Sequence, residues 1–82
     1  MYSARSPRNK REDAVISRWE VTCKFTNVFM QEHGRERAFS VTATKEADAR
    51  REAQLEMCRK LGLSTGFHTY VRIESIKNTG RA

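Results

Sequence analysis

The feature that most constrains this chain is a long two-residue alternation near its start. Val15, Trp19, Val21, Cys23 and Phe25 share one phase, and Arg18, Glu20, Thr22 and Lys24 share the other. Aromatic and β-branched residues at period two predict a strand with one buried face. Its reach extends from Val15 as far as Phe29. A second alternation, Ala38 to Ala43, turns Phe39, Val41 and Ala43 inward. Between them Gln31–Glu36 reads as a turn, with Gly34 free to take a positive φ, so the two strands form a hairpin.

The period then changes. Thr44 is a candidate N-cap, Glu46 and Asp48 suit a first helical turn, and the helix is expected from Lys45 to about Leu61. Gly62 fits the position just past the helix end, with Leu63 as the apolar contact beyond it. On a 100° wheel Ala49, Ala53, Met57 and Leu61 form a stripe, joined by Ala47 and Cys58. The alanines imply close approach of helix to sheet, while Leu55 falls outside the stripe. After a loop containing Ser64, Thr65 and Gly66, a last strand is expected over Phe67–Lys77. Val71 and Ile73 point in, His68, Tyr70, Arg72 and Glu74 point out, and Ile76 breaks the alternation.

The fold class that follows is α+β with order β-β-α-β. The most apolar strand is the first and belongs at the centre. That gives a three-stranded antiparallel sheet in order 2-1-3, with one helix on one face. A chain of 82 residues supports a single thin core. It excludes a two-domain enzyme, and no apolar run approaches the length of a membrane span. Residues 1–13 read as a flexible basic arm, 14–77 as the domain and 78–82 as a tail.

The formal charge is +6, but it is unevenly spread. The arm holds Arg5, Arg8, Lys10 and Arg11 against Glu12 and Asp13, and Arg81 adds one charge in the tail. Residues 14–77 carry 11 basic and 8 acidic groups, so the folded part is only mildly basic. The N-terminal segment has no apolar core of a secretory signal. Two cysteines, Cys23 and Cys58, are too few for a disulfide framework and too widely spaced for zinc. Reduced thiols in a cytoplasmic setting are the expectation.

No catalytic constellation emerges. Neither His33 nor His68 is paired by sequence with a nucleophile, and Gly62-Leu63-Ser64-Thr65-Gly66 follows a helix, whereas a phosphate cradle precedes one. No metal, cofactor or small-molecule substrate is expected. Two surfaces remain. The open sheet face gathers Arg18, Thr22, Lys24, His68, Tyr70 and Arg72, a mixture of bases and an aromatic suited to a partner protein. The helix start gathers Lys45, Arg50 and Arg51, which with the arm bases suit phosphate.

The segment FSVTATKEADARREAQLEMCRKLG followed by FHTYVRIES resembles the strand–helix–strand of small bacteriophage proteins that disable host machinery. Among these are the coliphage inhibitor of bacterial RNA polymerase and some small anti-CRISPR proteins. The resemblance covers about residues 39–76. It implies a compact, non-enzymatic protein that binds a protein or protein–nucleic-acid complex of the host, with RNA polymerase foremost. Arg72 is the counterpart of basic residues on that family's last strand. The stretch TKEADARREAQLEMCRKLG also resembles the final helix of double-stranded-RNA-binding domains, although here a strand follows it. The alternative function is a sequence-tolerant DNA- or RNA-binding module.

Overall fold

The computed structural model describes residues 15–82; the basic segment expected as an arm lies outside the described residues. Strand β1 spans Ser17–Phe25, β2 Glu36–Ala43 and β3 Val71–Arg81. Helix α1 spans Glu46–Leu61, and a 3-10 helix covers Thr65–Tyr70. The sheet is antiparallel in order β2-β1-β3, as the patterning predicts.

The core lies between the sheet's inner face and α1. Val21, Cys23 and Phe25 from β1 meet Ala53, Met57 and Cys58 from α1 and Val71 from β3. Trp19, Phe39, Val41, Ile73 and Ile76 pack at its margin. Ala49 and Ala53 are fully buried, so the helix rests on the sheet through side chains no larger than a methyl group. The Trp19 indole Nε1–H donates to the Ala43 carbonyl at 3.0 Å, tying β1 to the end of β2.

Several boundaries differ from the sequence reading. β1 begins at Ser17, which leaves Val15, expected inward, 45% exposed. It ends at Phe25, so Phe29 is not part of it. Thr44 does not cap α1. The chain stays extended through Lys45, which takes the N-cap position without a side-chain hydrogen bond. Ala47 is exposed, because it stands two residues and about 200° round the helix from Ala49. Leu55, left unassigned by the pattern, is half-buried. Gly62 adopts φ 74°, and the Leu63 N–H donates to the Cys58 carbonyl at 2.9 Å, closing the helix as a left-handed cap does.

The last strand is displaced by four residues at both ends. Ser64 accepts from the Gly66 N–H and opens the 3-10 helix, which occupies what reads as the first part of a strand. Residues 78–81, expected as a tail, belong to β3 and pair with Ser17–Trp19. Thr79 Oγ1 donates to the Arg18 carbonyl at 3.0 Å, and the Ala82 N–H donates to the Ile16 carbonyl at 3.0 Å.

The break in alternation at Ile76 has a local cause. Cys23 pairs with Ile73, whereas Thr22 pairs with Ser75, so Glu74 is an extra residue in β3. Such a bulge shifts the phase by one and returns Ile76 to the inner face. A second irregularity places Thr79 between the pairs Trp19–Asn78 and Arg18–Gly80.

Candidate protein-binding surface

The register defines the outer sheet face. Arg18 lies between Thr42 and Gly80, and Thr22 between Ala38 and Ser75. Lys24 lies between Glu36 and Arg72. Lys24 and Arg72 thus meet at one end of the sheet, with Arg18 at the other. Six steps of about 3.4 Å separate Arg18 from Lys24, roughly 20 Å. Glu20, Glu36 and Glu74 interrupt the bases, and the Arg72 guanidinium bonds Glu74 at 2.6 Å. The face is mixed in charge and, among the described residues, carries no aromatic side chain.

His68 and Tyr70, expected on this face, are not on it. Both belong to the 3-10 helix, whose backbone rotates them out of strand phase. His68 is half-buried, with Nδ1 3.0 Å from the Thr65 carbonyl oxygen. The Tyr70 ring stacks at a tilt beside Phe25 and Phe67, each with centroids 6.2 Å away. Burial of one ring face there leaves Tyr70 42% exposed.

The structure instead builds a surface that the sequence reading missed, at the β1–β2 loop. The Phe25 N–H donates to the Arg35 carbonyl at 2.9 Å, and the Gly34 N–H donates to the Phe25 carbonyl at 2.7 Å. With Gly34 at φ 88°, this is a bulge in which only glycine sits without strain. Inside the loop, Asn27 Oδ1 accepts from the Phe29 N–H at 2.9 Å, and the Asn27 carbonyl accepts from the Met30 N–H at 3.1 Å. Met30 packs against the core. Its anchoring holds Val28 and Phe29 outward, 68% and 94% exposed. The Thr26 N–H and Oγ1–H both donate to the Tyr70 carbonyl at 2.8 Å. Loop and 3-10 helix are therefore locked together, and Val28, Phe29 and Tyr70 lie at the Lys24–Arg72 end of the sheet. The available signal was Asn27, an Asx-turn former that stops the β1 alternation.

Of the alternative phosphate-binding residues, Lys45, Arg50 and Arg51 lie at the opposite end, where α1 starts. Ser17 pairs with both Ala43 and Arg81, so the chain entering β1, the start of α1 and the end of β3 are neighbours. Lys45, Arg51, Arg18 and Arg81 are exposed there. Arg50 is committed to Glu46 by bonds of 2.9 and 3.1 Å. Arg5, Arg8, Lys10 and Arg11 lie outside the described residues.

Cys23 and Cys58 are buried free thiols. Burial pushes the Cys23 thiol up to about 11 and raises Cys58 as well, against a smaller opposing pull from Arg59. Raised thiols in apolar surroundings are poor nucleophiles and poor ligands. Among the described residues no group of three His, Cys, Asp or Glu side chains is placed to hold a metal ion. No described helix is long and apolar enough to cross a membrane. Compared with known proteins, the chain matches no family model, no curated sequence and no solved structure.

Proposed function

We propose that this chain is a non-enzymatic binding protein of the bacterial cytoplasm. It inhibits or modulates a nucleic-acid-handling complex of a phage host by occluding a surface, and RNA polymerase is the first target to test. The observation that carries the reading is Phe29, 94% exposed on a turn held by its own hydrogen bonds. A large aromatic at a preorganised tip loses little entropy on docking and gains its full burial. With Val28, Tyr70, Lys24 and Arg72 at the same end of the sheet, it has the make-up of an interface hot spot, an aromatic anchor among polar and basic residues. The strand–helix–strand resemblance supports the choice of polymerase.

Burying Phe29 in a pocket contributes about 1.5–3 kcal/mol. Phe29→Ala therefore weakens binding to purified RNA polymerase roughly 10- to 150-fold in an equilibrium titration. Its thermal unfolding stays at the wild-type midpoint, because the ring touches no core. Equal affinity of variant and wild type removes the tip from the interface, and no binding of the wild type rejects polymerase as the target.

A second reading, nucleic-acid binding, is favoured by one observation: Lys45, Arg51, Arg18 and Arg81 share an end with the entry to β1. In that case affinity for naked duplex falls steeply with salt, with a log–log slope of about −0.9 per phosphate contact. Lys45→Glu with Arg51→Glu flattens it by about two contacts. A flat salt response, or none bound, rejects this reading.

A further inference from the structure

The two edges of the sheet are built differently. β3 has two bulges, at Glu74 and Thr79, and carries Arg72 and Lys77 outward. Bulges and edge charges are the usual devices that prevent another strand from adding. β2 has neither bulge nor proline, its charged residues, Glu36 and Arg37, are confined to its first two positions, and its register with β1 runs unbroken from Glu36 to Ala43. Its outward side chains past Glu36 are Ala38, Ser40 and Thr42, all small and neutral.

The hydrogen-bond phase at this edge follows from the loop closure. Phe25 is closely bonded to Gly34 and Arg35, so every second pair onward is closely bonded too: Cys23–Arg37, Val21–Phe39 and Trp19–Val41. The N–H and C=O groups of Glu36, Ala38, Ser40 and Thr42 therefore point to the free edge. Among the described residues no backbone or side-chain group bonds to them.

We infer that β2 pairs antiparallel with β2 of a second copy of this chain, centred on Ser40, to make a continuous six-stranded sheet. The sequence of the edge selects this occupant. Glu36 and Arg37 stand at one end of a neutral run, Ala38–Ala43. Antiparallel self-pairing sets each charged end over the partner's neutral end, whereas a parallel copy stacks Glu36 on Glu36 and Arg37 on Arg37. On the outer face Ser40 meets Ser40 of the partner subunit, and Ala38 meets Thr42 of the partner subunit. On the inner face Phe39 meets Val41 of the partner subunit, and the reverse, covering two side chains that are half-buried in the single chain. The contact is isologous and closes as a dimer, with about six main-chain hydrogen bonds. It does not depend on what the loop end binds.

Sedimentation equilibrium of the full chain reads the result. The expected mass is twice 9.5 kDa. Ser40→Lys places two ammonium groups against each other at the two-fold axis and returns the mass to 9.5 kDa, as Ser40→Glu does through two carboxylates. Mixing the two variants in equal amounts restores the dimer, which no effect on folding alone produces. Ser40→Cys adds an independent readout. Closely bonded partners stand about 5.5 Å apart at Cα, within the roughly 4.4–6.8 Å that a disulfide spans. Oxidation therefore links the chains, while buried Cys23 and Cys58 stay free. A wild-type monomer overturns the inference. So does a dimer that survives Ser40→Lys, which places the contact elsewhere, or a failure of Ser40→Cys to cross-link.

Discussion

Deleting Glu74 tests whether the bulge in β3 is an insertion that the fold tolerates or a requirement. Glu74 is the residue left over between the pairs Cys23–Ile73 and Thr22–Ser75. Without it Ser75 follows Ile73 directly, and the alternation in–out–in over Ile73, Ser75 and Ile76 becomes regular. What is lost is the ion pair with Arg72, in which the two side chains are 61% and 30% exposed. Pairs that exposed contribute about 0–1 kcal/mol. The deletion therefore changes stability by less than about 1 kcal/mol, within roughly 4–8 °C in the unfolding midpoint of a domain this size.

Deleting Arg72 is the matched control, since it also removes an exposed charged residue from the same strand. Here the phase has no slack. Either Val71, which is 3% exposed, moves to the outer face, or Glu74 moves into the inward position of Ile73. Expelling a valine from the core costs about 1.5–3 kcal/mol. Calorimetric or chemical unfolding of the two deletions must place Arg72 deletion below Glu74 deletion by at least about 1 kcal/mol. Equal losses, or the opposite order, refute the assignment of Glu74 as the surplus residue.

Three further outcomes follow from single contacts. The folded Cys23 thiol stays protonated to about pH 11 while the unfolded chain ionises near 9.0, so stability is intact below pH 9 and declines as pH rises towards 11. The loss is on the order of 2–3 kcal/mol in urea titrations, and Cys23→Ala removes that part of the slope. Trp19→Phe costs about 1 kcal/mol, measured by the same titrations, because the Ala43 carbonyl loses its indole donor at 3.0 Å. Gly62→Ala lowers the unfolding midpoint by an amount equivalent to about 1–2 kcal/mol, since φ 74° strains any Cβ although open space surrounds it.

The legible parts of this fold are those in which one periodicity governs a whole element. β1, the inner face of β2 and the stripe of α1 could be read because each buries one face against one neighbour. The strand order followed from β1 being the most apolar. Sequence reading failed where a local hydrogen bond overrides the period. Ser64 capping the Gly66 N–H turns Phe67–Tyr70 into a 3-10 helix, which removed His68 and Tyr70 from the expected sheet face. Ile76 looked like an end of pattern because a bulge leaves no residue signature beyond the phase jump itself. In the sequence the β1 pattern carries on to Phe29. Only the Asn27 turn and the burial of Met30 show that an aromatic in that run faces solvent. The candidate site was thus half legible: Lys24 and Arg72 are on it, whereas its apolar centre is contributed by a loop.

The polarity of the fold gives the proposed dimer a consequence for binding. In one chain the apolar tip, with Val28, Phe29 and Tyr70, and the basic end, with Lys45, Arg51, Arg18 and Arg81, lie at opposite ends of the sheet. Antiparallel pairing through β2 reverses one copy against the other, so the tip of each chain comes alongside the basic end of its partner. Each end of the dimer then offers an apolar anchor and several basic residues together, which suits a complex of protein and nucleic acid better than either surface alone. Under the proposed function, Ser40→Lys weakens binding to polymerase loaded on DNA more than binding to polymerase alone, although it touches neither surface. The comparison is two titrations of the same variant, each referred to wild type. An equal loss in both shows that the two ends do not act as one surface, and the tip would then bind by itself.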